Sequence, residues 1–281
     1  MLFRSIQHLT AMFGATILVP LILGINPAIC LLMNGIGTLV YSYVTKGGIP
    51  AYLGSSFAFI SPTLLIVASF GGFSHAQSGF IFFGLFFILM AFIVKKFGIK
   101  WINVVMPPAV MGAVVAVIGL ELAPNAAIQS GLAPAATAVG SVVQPYIANP
   151  QVIFVALFTL VVGIFGSVIF KGFAQVIPIL IAVIAGYTLA FAMGMVDTTV
   201  ITAAKWFLVP TFQAPVFDLN AIFIIAPACI VVFAEHISHL IVTGKITGTN
   251  LLEDPGLYRS LLGDGISNVI SGFTGSTPNT T

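Results

Sequence analysis

Long apolar runs, each close to the length that spans a lipid bilayer, constrain this chain more than any other feature. A helix needs about 20 apolar residues to cross a bilayer. Only 6% of the 281 residues are charged, against roughly 25% in an average soluble domain. We therefore expect an all-α polytopic membrane protein with the lipid bilayer as its solvent. The runs predict spans near 5–24, 27–45, 52–70, 78–94, 102–123, 152–170, 173–195 and 219–242, then a shorter, weaker segment at 260–274.

The positions of the lysines and arginines test this count of spans. If the spans alternate in direction, eight of the nine cations fall on one side of the membrane, and only Lys205 falls on the other. The positive-inside rule then places the N-terminus in the cytoplasm, and we expect a multi-pass protein of the inner (cytoplasmic) membrane. A net charge of +2 is too small to indicate a nucleic-acid partner. Cys30 and Cys229 lie in apolar runs and are interpreted as small buried hydrophobes.

Two segments do not suit an uninterrupted helix. IPAYLGSSFAFISPTLL (49–65) and ISGFTGSTPNTT (270–281) carry glycine, hydroxyl residues and proline in an apolar context. GSSFAF favours an extended strand, and ISP favours a helix start. Non-helical backbone at membrane depth is tolerated only where it is buried in protein or lines a cavity. The alternative is that both segments are ordinary loops at the membrane surface.

The positions of these two segments predict an internal repeat. One lies in the third span, and the other begins in the third span counted from 219. Interrupted segments in corresponding positions of two halves indicate the binding site of a transporter. We therefore predict a first repeat of seven segments at 1–195, an external connection at 196–218, and the start of a second, inverted repeat at 219–281.

The stretch VVFAEHISHLIV (231–242) places three titratable groups inside an apolar span. Glu235 and His239 are four residues apart and project from one helical face, whereas His236 is rotated by about 100°. A carboxylate at this depth is costly unless it faces a cavity, is protonated or has a partner, which makes Glu235 a functional candidate. The alternative is a Glu–His pair that ties two helices together, and for His236 we favour such a structural role. Asp264, in LLGDGIS, is ambiguous, and one interpretation is a helix start capped near the cytoplasmic face.

Five stretches then resemble the nucleobase/ascorbate transporter family, and within it look most like the bacterial uracil–proton symporters. They are IQHLTAMFGATILVP, GGIPAYLGSSFAFISP, VVFAEHISHL, LLEDPGLYRSLLGDG and ISGFTGSTPNTT. The resemblance implies fourteen transmembrane segments in two inverted seven-segment repeats. It also implies a core domain (segments 1–4, 8, 9 and the start of 10), a gate domain (segments 5–7), and short antiparallel strands in the third and tenth segments near the substrate.

The resemblance also implies roles for individual residues. Glu235 would hydrogen-bond the nucleobase, and His239 would take part in proton coupling. The backbone N–H of Phe57 would meet a substrate carbonyl. Ala15 would pack at the substrate-binding site. His8 would contact the residues that line this site, not the substrate itself. No metal and no cofactor is implied, because the proton gradient would supply the driving force.

We therefore expect a secondary active transporter, not an enzyme. It would take up uracil together with protons by alternating access. Because related proteins are often dimers, a second copy of the chain is an expected partner. An ionised carboxylate only accepts hydrogen bonds, so it suits the N–H edge of uracil. The alternatives are a transporter of xanthine or another purine, an anion exchanger of the same architecture, and an intramembrane metalloenzyme. The metal alternative is weaker because the order Glu-His-x-x-His differs from the His-Glu-x-x-His of zinc sites. In the family a second glutamate follows the GSTPNTT strand, so a chain that stops at Thr281 is expected to be truncated within the second repeat.

Overall fold

The computed structural model describes residues 12, 16–105, 107–134, 146–199 and 209–281, and most of them are helical. Two strands consist of two residues each, and short 3-10 or π-helical turns precede three of the helices. The helices are α1 (16–22), α2 (Pro27–Val44), α3 (Ile60–Phe70), α4 (Phe73–Phe97), α5 (Lys100–Val105), α6 (Pro108–Gln129), α7 (Pro150–Ile169), α8 (Pro178–Ala192), α9 (Leu219–Thr247) and α10 (Leu257–Thr274). The strands are β1 (Gly54–Ser55) and β2 (Asn279–Thr280), and the turns are Phe57–Phe59, Gly172–Val176 and Leu252–Gly256.

Five of the described helices are long and apolar enough to cross a membrane, which confirms the prediction of an all-α polytopic protein. They are α2, α4, α7, α9 and the Gly112–Gln129 part of α6. The predicted span 102–123 is divided between α5 and α6 at the Pro107–Pro108 pair, since proline is tolerated only in the first turn of a helix. The predicted span 173–195 likewise begins with a 3-10 turn, and α8 starts at Pro178.

The chain divides into two compact units. The first unit contains Ala15–Gly119 and Pro210–Thr281, and the second contains Met1–Gly14 and Leu120–Val209. In the first unit α4 packs along both α9 and α10, and α10 also packs along α2. In the second unit α7 packs along α8. The division into repeats at 195 and 219 stays a prediction.

Aromatic side chains fill the space between α4, α9 and the turn before α3. The ring of Phe83 lies 4.7 Å from that of Phe59 and 4.5 Å from that of Phe87. Phe233 of α9 meets Phe87 edge-on at 6.2 Å. All four side chains are almost fully buried, and tilted pairs of this kind add about 0.5–1.5 kcal/mol each beyond their burial. This cluster holds α9 against α4 and so positions the titratable groups that α9 carries.

Small residues let α4 and α10 approach closely. A Cβ on Gly84 would lie 2.7 Å from the carbonyl oxygen of Gly265, and a Cβ on Gly265 would lie 2.8 Å from the carbonyl oxygen of Gly84. Close backbone approach through glycine is typical of helix pairs in membranes. Cys30 and Cys229 are buried free thiols, as the sequence predicts.

Candidate functional site

Two short strands that lie far apart in the sequence meet inside the first unit. β1 and β2 are antiparallel, with Gly54 opposite Thr280 and Ser55 opposite Asn279. All four residues are buried. The strand pair confirms the predicted antiparallel strands in the two interrupted segments. The alternative of two loops at the membrane surface is wrong.

Asn268 of α10 completes the hydrogen bonding of β2. Its Oδ1 accepts from the N–H of Asn279 at 2.7 Å, and its Nδ2 donates to the carbonyl of Asn279 at 2.8 Å. The neighbouring carbonyl of Pro278 instead accepts from the N–H of Ser56 in the first segment, at 3.0 Å. Successive peptide groups of a strand point to opposite sides, so the Asn268 amide occupies the edge of β2 that β1 leaves open. A side chain of α10 therefore takes the place of a third strand.

A single 3-10 turn follows β1 and leads into α3. The strand predicted over GSSFAF is wrong for its second half, because the helical turn begins at Phe57. Pro278 lies opposite Ser56 and has no N–H to donate, so the ladder cannot continue. α3 begins at Ile60, as ISP predicts.

The turn leaves a backbone donor free at Phe57. The first N–H groups of a helix have no partner inside it, and the Phe57 N–H has no hydrogen-bond partner among the described residues. α9 packs directly against this turn. Phe57 is thus placed where its N–H can serve a ligand beside α9.

Glu235 and His239 lie one turn apart on α9 and face each other. Oε1 of Glu235 is 3.9 Å from Nε2 of His239, and the two side chains are 20% and 42% exposed. The second carboxylate oxygen of Glu235, Oε2, is buried and has no hydrogen-bond partner in the described part of the chain. Buried polar atoms are normally hydrogen-bonded. This oxygen is therefore suited to accept from an N–H group of a ligand.

The residue that follows β2 reaches the same turn of α9. The hydroxyl of Thr281 lies 3.1 Å from Nδ1 of His236, and the backbone oxygen of Thr281 contacts Nδ1 of His239. α9 therefore contacts both the Phe57–Phe59 turn and the segment that ends the second interrupted stretch. The two interrupted segments and the titratable stretch therefore meet within the first unit.

The side chain of His236 points into a buried polar cluster, away from the face of α9 that Glu235 and His239 share. Its Nε2 lies 2.7 Å from Oγ of Ser260, and its Nδ1 lies 3.2 Å from Oδ2 of Asp264. Ser260 also hydrogen-bonds the hydroxyl of Tyr41 at 2.6 Å. These contacts tie α9 to α10 and α2, which confirms the structural role favoured for His236.

The interpretation of Asp264 as a helix cap is wrong. It lies in the middle of α10 with a fully buried side chain. Oδ1 accepts a hydrogen bond from Nδ2 of Asn268 at 3.0 Å, whereas Oδ2 lies 3.2 Å from Nδ1 of His236 without a hydrogen bond to any described residue. The sequence carries a signal for this arrangement, because polar residues recur on one face of α10 in an otherwise apolar context. They are Ser260, Asp264, Ser267, Asn268 and Ser271.

The remaining predicted site residues, His8 and Ala15, lie outside the described residues. Phe57, Glu235 and His239 all lie in the first unit, and their predicted roles stay predictions. No group of three or more His, Cys, Asp or Glu side chains that could hold a metal ion occurs within the described ranges.

This fold, with two interrupted segments paired as strands beside a half-buried carboxylate, is that of a membrane transporter domain. The transmembrane domain of a cyanobacterium bicarbonate transporter, BicA, shares it with a TM-score of 0.64 and 18% identity, over 98% of this chain and 74% of that chain. At this identity the likeness concerns the fold alone. The model of the Permease family (Xan_ur_permease) matches residues 1–281, and the chain belongs to this family.

Several relatives in this family are named uracil permeases. The uracil permease of Paenibacillus larvae subsp. larvae is 56% identical over 277 residues, which are 99% of this chain and 64% of that protein. The uracil permease of Escherichia coli (strain K12) is 55% identical over 99% of this chain and 62% of its own length. The uracil permease of Bacillus caldolyticus is 41% identical over 99% of this chain and 63% of its own length. The chain therefore spans somewhat less than two thirds of these relatives.

Proposed function

We propose that this chain supplies substrate-binding residues of a secondary active transporter that takes up uracil together with protons by alternating access. One observation carries the proposal. The buried Oε2 of Glu235 and the N–H of Phe57 are an acceptor and a donor without partners among the described residues, and both belong to elements in direct contact. The names of the relatives, uracil permeases, support the choice of substrate.

The hydrogen-bonding pattern of uracil matches these two groups. Uracil carries N–H donors and carbonyl acceptors in one plane. The Glu235 carboxylate accepts from an N–H of the ring, and the Phe57 N–H donates to a ring carbonyl. A site of this kind rejects analogues that leave its buried polar groups unpaired.

Proton coupling is assigned to the Glu235–His239 pair. The two groups lie 3.9 Å apart, so a proton bound by either one changes the charge that the other experiences. Histidine is the side chain whose charge changes near physiological pH. In the proposed cycle, protonation of the pair accompanies uracil binding and movement of the loaded site toward the cytoplasm. Ala15 and His8 are proposed to pack around this site, and a second copy of the chain to complete a homodimer.

The test is uptake of labelled uracil by cells that lack their own uracil uptake and express the gene encoding this chain. Uptake should collapse when a protonophore dissipates the proton gradient, and excess xanthine should not compete. Uptake that persists without the gradient would contradict proton coupling. A well-expressed protein that takes up no uracil would direct the search to purines or anions.

An anion exchanger of the same fold would need a different charge in the site. An anionic substrate would approach the carboxylate of Glu235, and like charges repel most strongly where water is excluded. Inhibition of uptake by uracil, but not by bicarbonate or sulfate, separates the two functions.

A further inference from the structure

The start of β1 is held by a side chain of α2. The backbone N–H of Leu53, which directly precedes β1, donates to Oγ1 of Thr38 at 3.0 Å. The N–H of Ser56 instead donates to the carbonyl of Pro278 in the second interrupted segment. Since successive peptide groups of a strand point to opposite sides, the Leu53 N–H lies on the edge of β1 that β2 leaves open. Thr38 therefore accepts the hydrogen bond that a third strand would otherwise accept.

The hydroxyl of Thr38 is oriented to accept this hydrogen bond. It donates its own proton to the carbonyl of Asn34, one turn earlier in α2, at 2.7 Å. A hydroxyl has one donor and two acceptor lone pairs, so the oxygen remains available to the Leu53 N–H. The side chain of Leu53 is fully buried. A buried N–H that loses its acceptor is costly, and the start of β1 therefore depends on this contact.

The sequence that ends at Thr38 recurs in α10, where it ends at Asn268. NGIGT in α2 and DGISN in α10 have an acid or its amide, a glycine and an isoleucine in the same order, and each ends on the residue that holds a strand. α2 and α10 pack along each other. A Cβ on Gly37 would clash with Oγ of Ser267, which occupies the same place in the second stretch. The two helices therefore hold β1 and β2 from equivalent positions.

We propose that Thr38 is a positioning residue for uracil. By holding the N–H of Leu53 it fixes the position of β1, and β1 leads through Ser56 directly to Phe57. Hydrogen bonds weaken steeply when their distance and angle depart from the optimum, so a displaced strand would weaken the bond from the free Phe57 N–H to the substrate. The proposal rests on the proposed function, in which this N–H meets a carbonyl of uracil.

Thr38→Val removes the hydroxyl and keeps the shape of the side chain. The Leu53 N–H then loses its acceptor, whereas the Asn34 carbonyl keeps its bond to the backbone N–H of Thr38 within α2. Labelled uracil should bind the purified full chain roughly three- to tenfold more weakly, the loss expected for one hydrogen bond. Thr38→Ser keeps the hydroxyl and should retain most of the affinity. Equal affinities of the valine variant and the parent would overturn the proposal.

Thr45→Val is the matched control on the same helix. The hydroxyl of Thr45 also donates to the carbonyl four residues earlier, that of Tyr41, at 2.8 Å. Its hydrogen bonds within the described residues go to α2 alone. The Tyr41 carbonyl keeps a second bond, from the backbone N–H of Thr45 at 2.9 Å, so the substitution leaves this carbonyl paired. Uracil affinity should stay at the value of the parent.

A pair of Phe57 variants separates positioning from a general weakening of the fold. Phe57→Ala keeps the backbone N–H, and Phe57→Pro removes it. Thr38→Val should weaken uracil binding in the Phe57→Ala background, but it should cause no further loss in Phe57→Pro, where the donor that it positions is already gone. An equal loss in both backgrounds would overturn the proposal, because a merely structural role does not depend on that N–H.

Amide hydrogen exchange tests the role of Thr38 without uracil. Exchange at Leu53 and at Ser56 should be roughly three- to tenfold faster in Thr38→Val than in the parent, and it should be unchanged in Thr45→Val. Unchanged exchange at Ser56 would overturn the proposal, since Thr38 would then not fix the position of β1. If the parent chain binds no uracil, the proposed function fails, and exchange at Ser56 alone decides whether Thr38 holds the strand.

Discussion

The imidazole of His236 and the carboxylate of Asp264 face each other between α9 and α10, with Nδ1 and Oδ2 3.2 Å apart and both side chains fully buried. α9 also carries Glu235, and α10 also carries Asn268, which holds β2. The pair therefore joins α9, which carries the Glu235 carboxylate, to α10, which supports the strand β2. The position of Glu235 relative to β2 in the candidate site therefore depends on the contact between His236 and Asp264.

Replacement of Asp264 by alanine should destabilise the protein strongly. His236 would lose its buried acidic partner, and Asn268 would lose the acceptor at 3.0 Å. Leaving a buried polar group without its partner costs about 1–3 kcal/mol. The midpoint of thermal unfolding in detergent should fall accordingly.

Asp197→Ala is the matched control for that measurement. Hydrogen bonds from the hydroxyl and backbone N–H of Thr199 hold the pKa of the Asp197 carboxyl below its usual range, but the group is fully exposed. Its removal should leave the unfolding midpoint unchanged. Equal midpoints for the Asp264 and Asp197 variants would mean that the buried pair does not hold α9 to α10.

Gly84→Ala should destabilise the contact between α4 and α10. The new Cβ would lie 2.7 Å from the backbone of Gly265 and Val269, so the helices would have to separate. Overpacking of this kind costs about 1–3 kcal/mol. Gly35→Ala on α2 makes the same chemical change where no atom lies within 4 Å of the new Cβ, and it should be neutral or slightly stabilising. Unfolding midpoints in the opposite order would contradict the close packing of α4 and α10.

The sequence predicts most of the fold because the bilayer imposes strong rules. Apolar runs locate α2, α4, α7 and α9 within a few residues. Serine, glycine and proline in an apolar context locate the two interrupted segments. The boundary between strand and helix at Phe57 was not predictable from the first segment alone. It depends on Pro278, which lies far away in the sequence and ends the ladder.

The candidate site, like the fold, has one part that the sequence predicts and one part that it does not. The spacing of Glu235 and His239 predicts their shared face, because helical periodicity alone sets it. The spacing of the polar residues on α10 places Asp264 on a shared polar face, but it does not identify the partner, because His236 is supplied by a different helix. A polar residue in a weakly apolar segment is compatible with either a helix cap or a buried contact. Only the tertiary partners decide between the two.

Glu235→Gln should abolish proton-driven accumulation of uracil. The amide keeps the shape of the side chain, but it offers a single acceptor atom and cannot take up a proton at physiological pH. Loss of a hydrogen bond to a charged group weakens binding roughly tenfold or more. Uptake by the parent protein should rise as the external pH falls, because the proton is a co-substrate, whereas residual uptake by the variant should not respond.

Glu121→Gln provides the control for that series. Glu121 lies on α6 with an exposed side chain, and the substitution removes the same charge. This variant should retain both the uptake and its dependence on pH. Unchanged pH-dependent accumulation in Glu235→Gln would remove Glu235 from the proposed mechanism.

Phe57→Pro and Phe57→Ala together isolate the backbone donor at the start of the 3-10 turn. Both variants lose the aromatic ring, but only proline also loses the N–H. Proline is well tolerated at the first position of a helix, and the preceding residue, Ser56, already has the extended backbone that proline requires, with φ −81° and ψ 128°. Phe57→Pro should therefore fold and bind labelled uracil roughly three- to tenfold more weakly than Phe57→Ala, the loss expected for one hydrogen bond. Binding is measured on purified protein, with the unfolding midpoint as a check on the fold. Equal affinities in two folded variants would show that the Phe57 N–H does not contact the substrate.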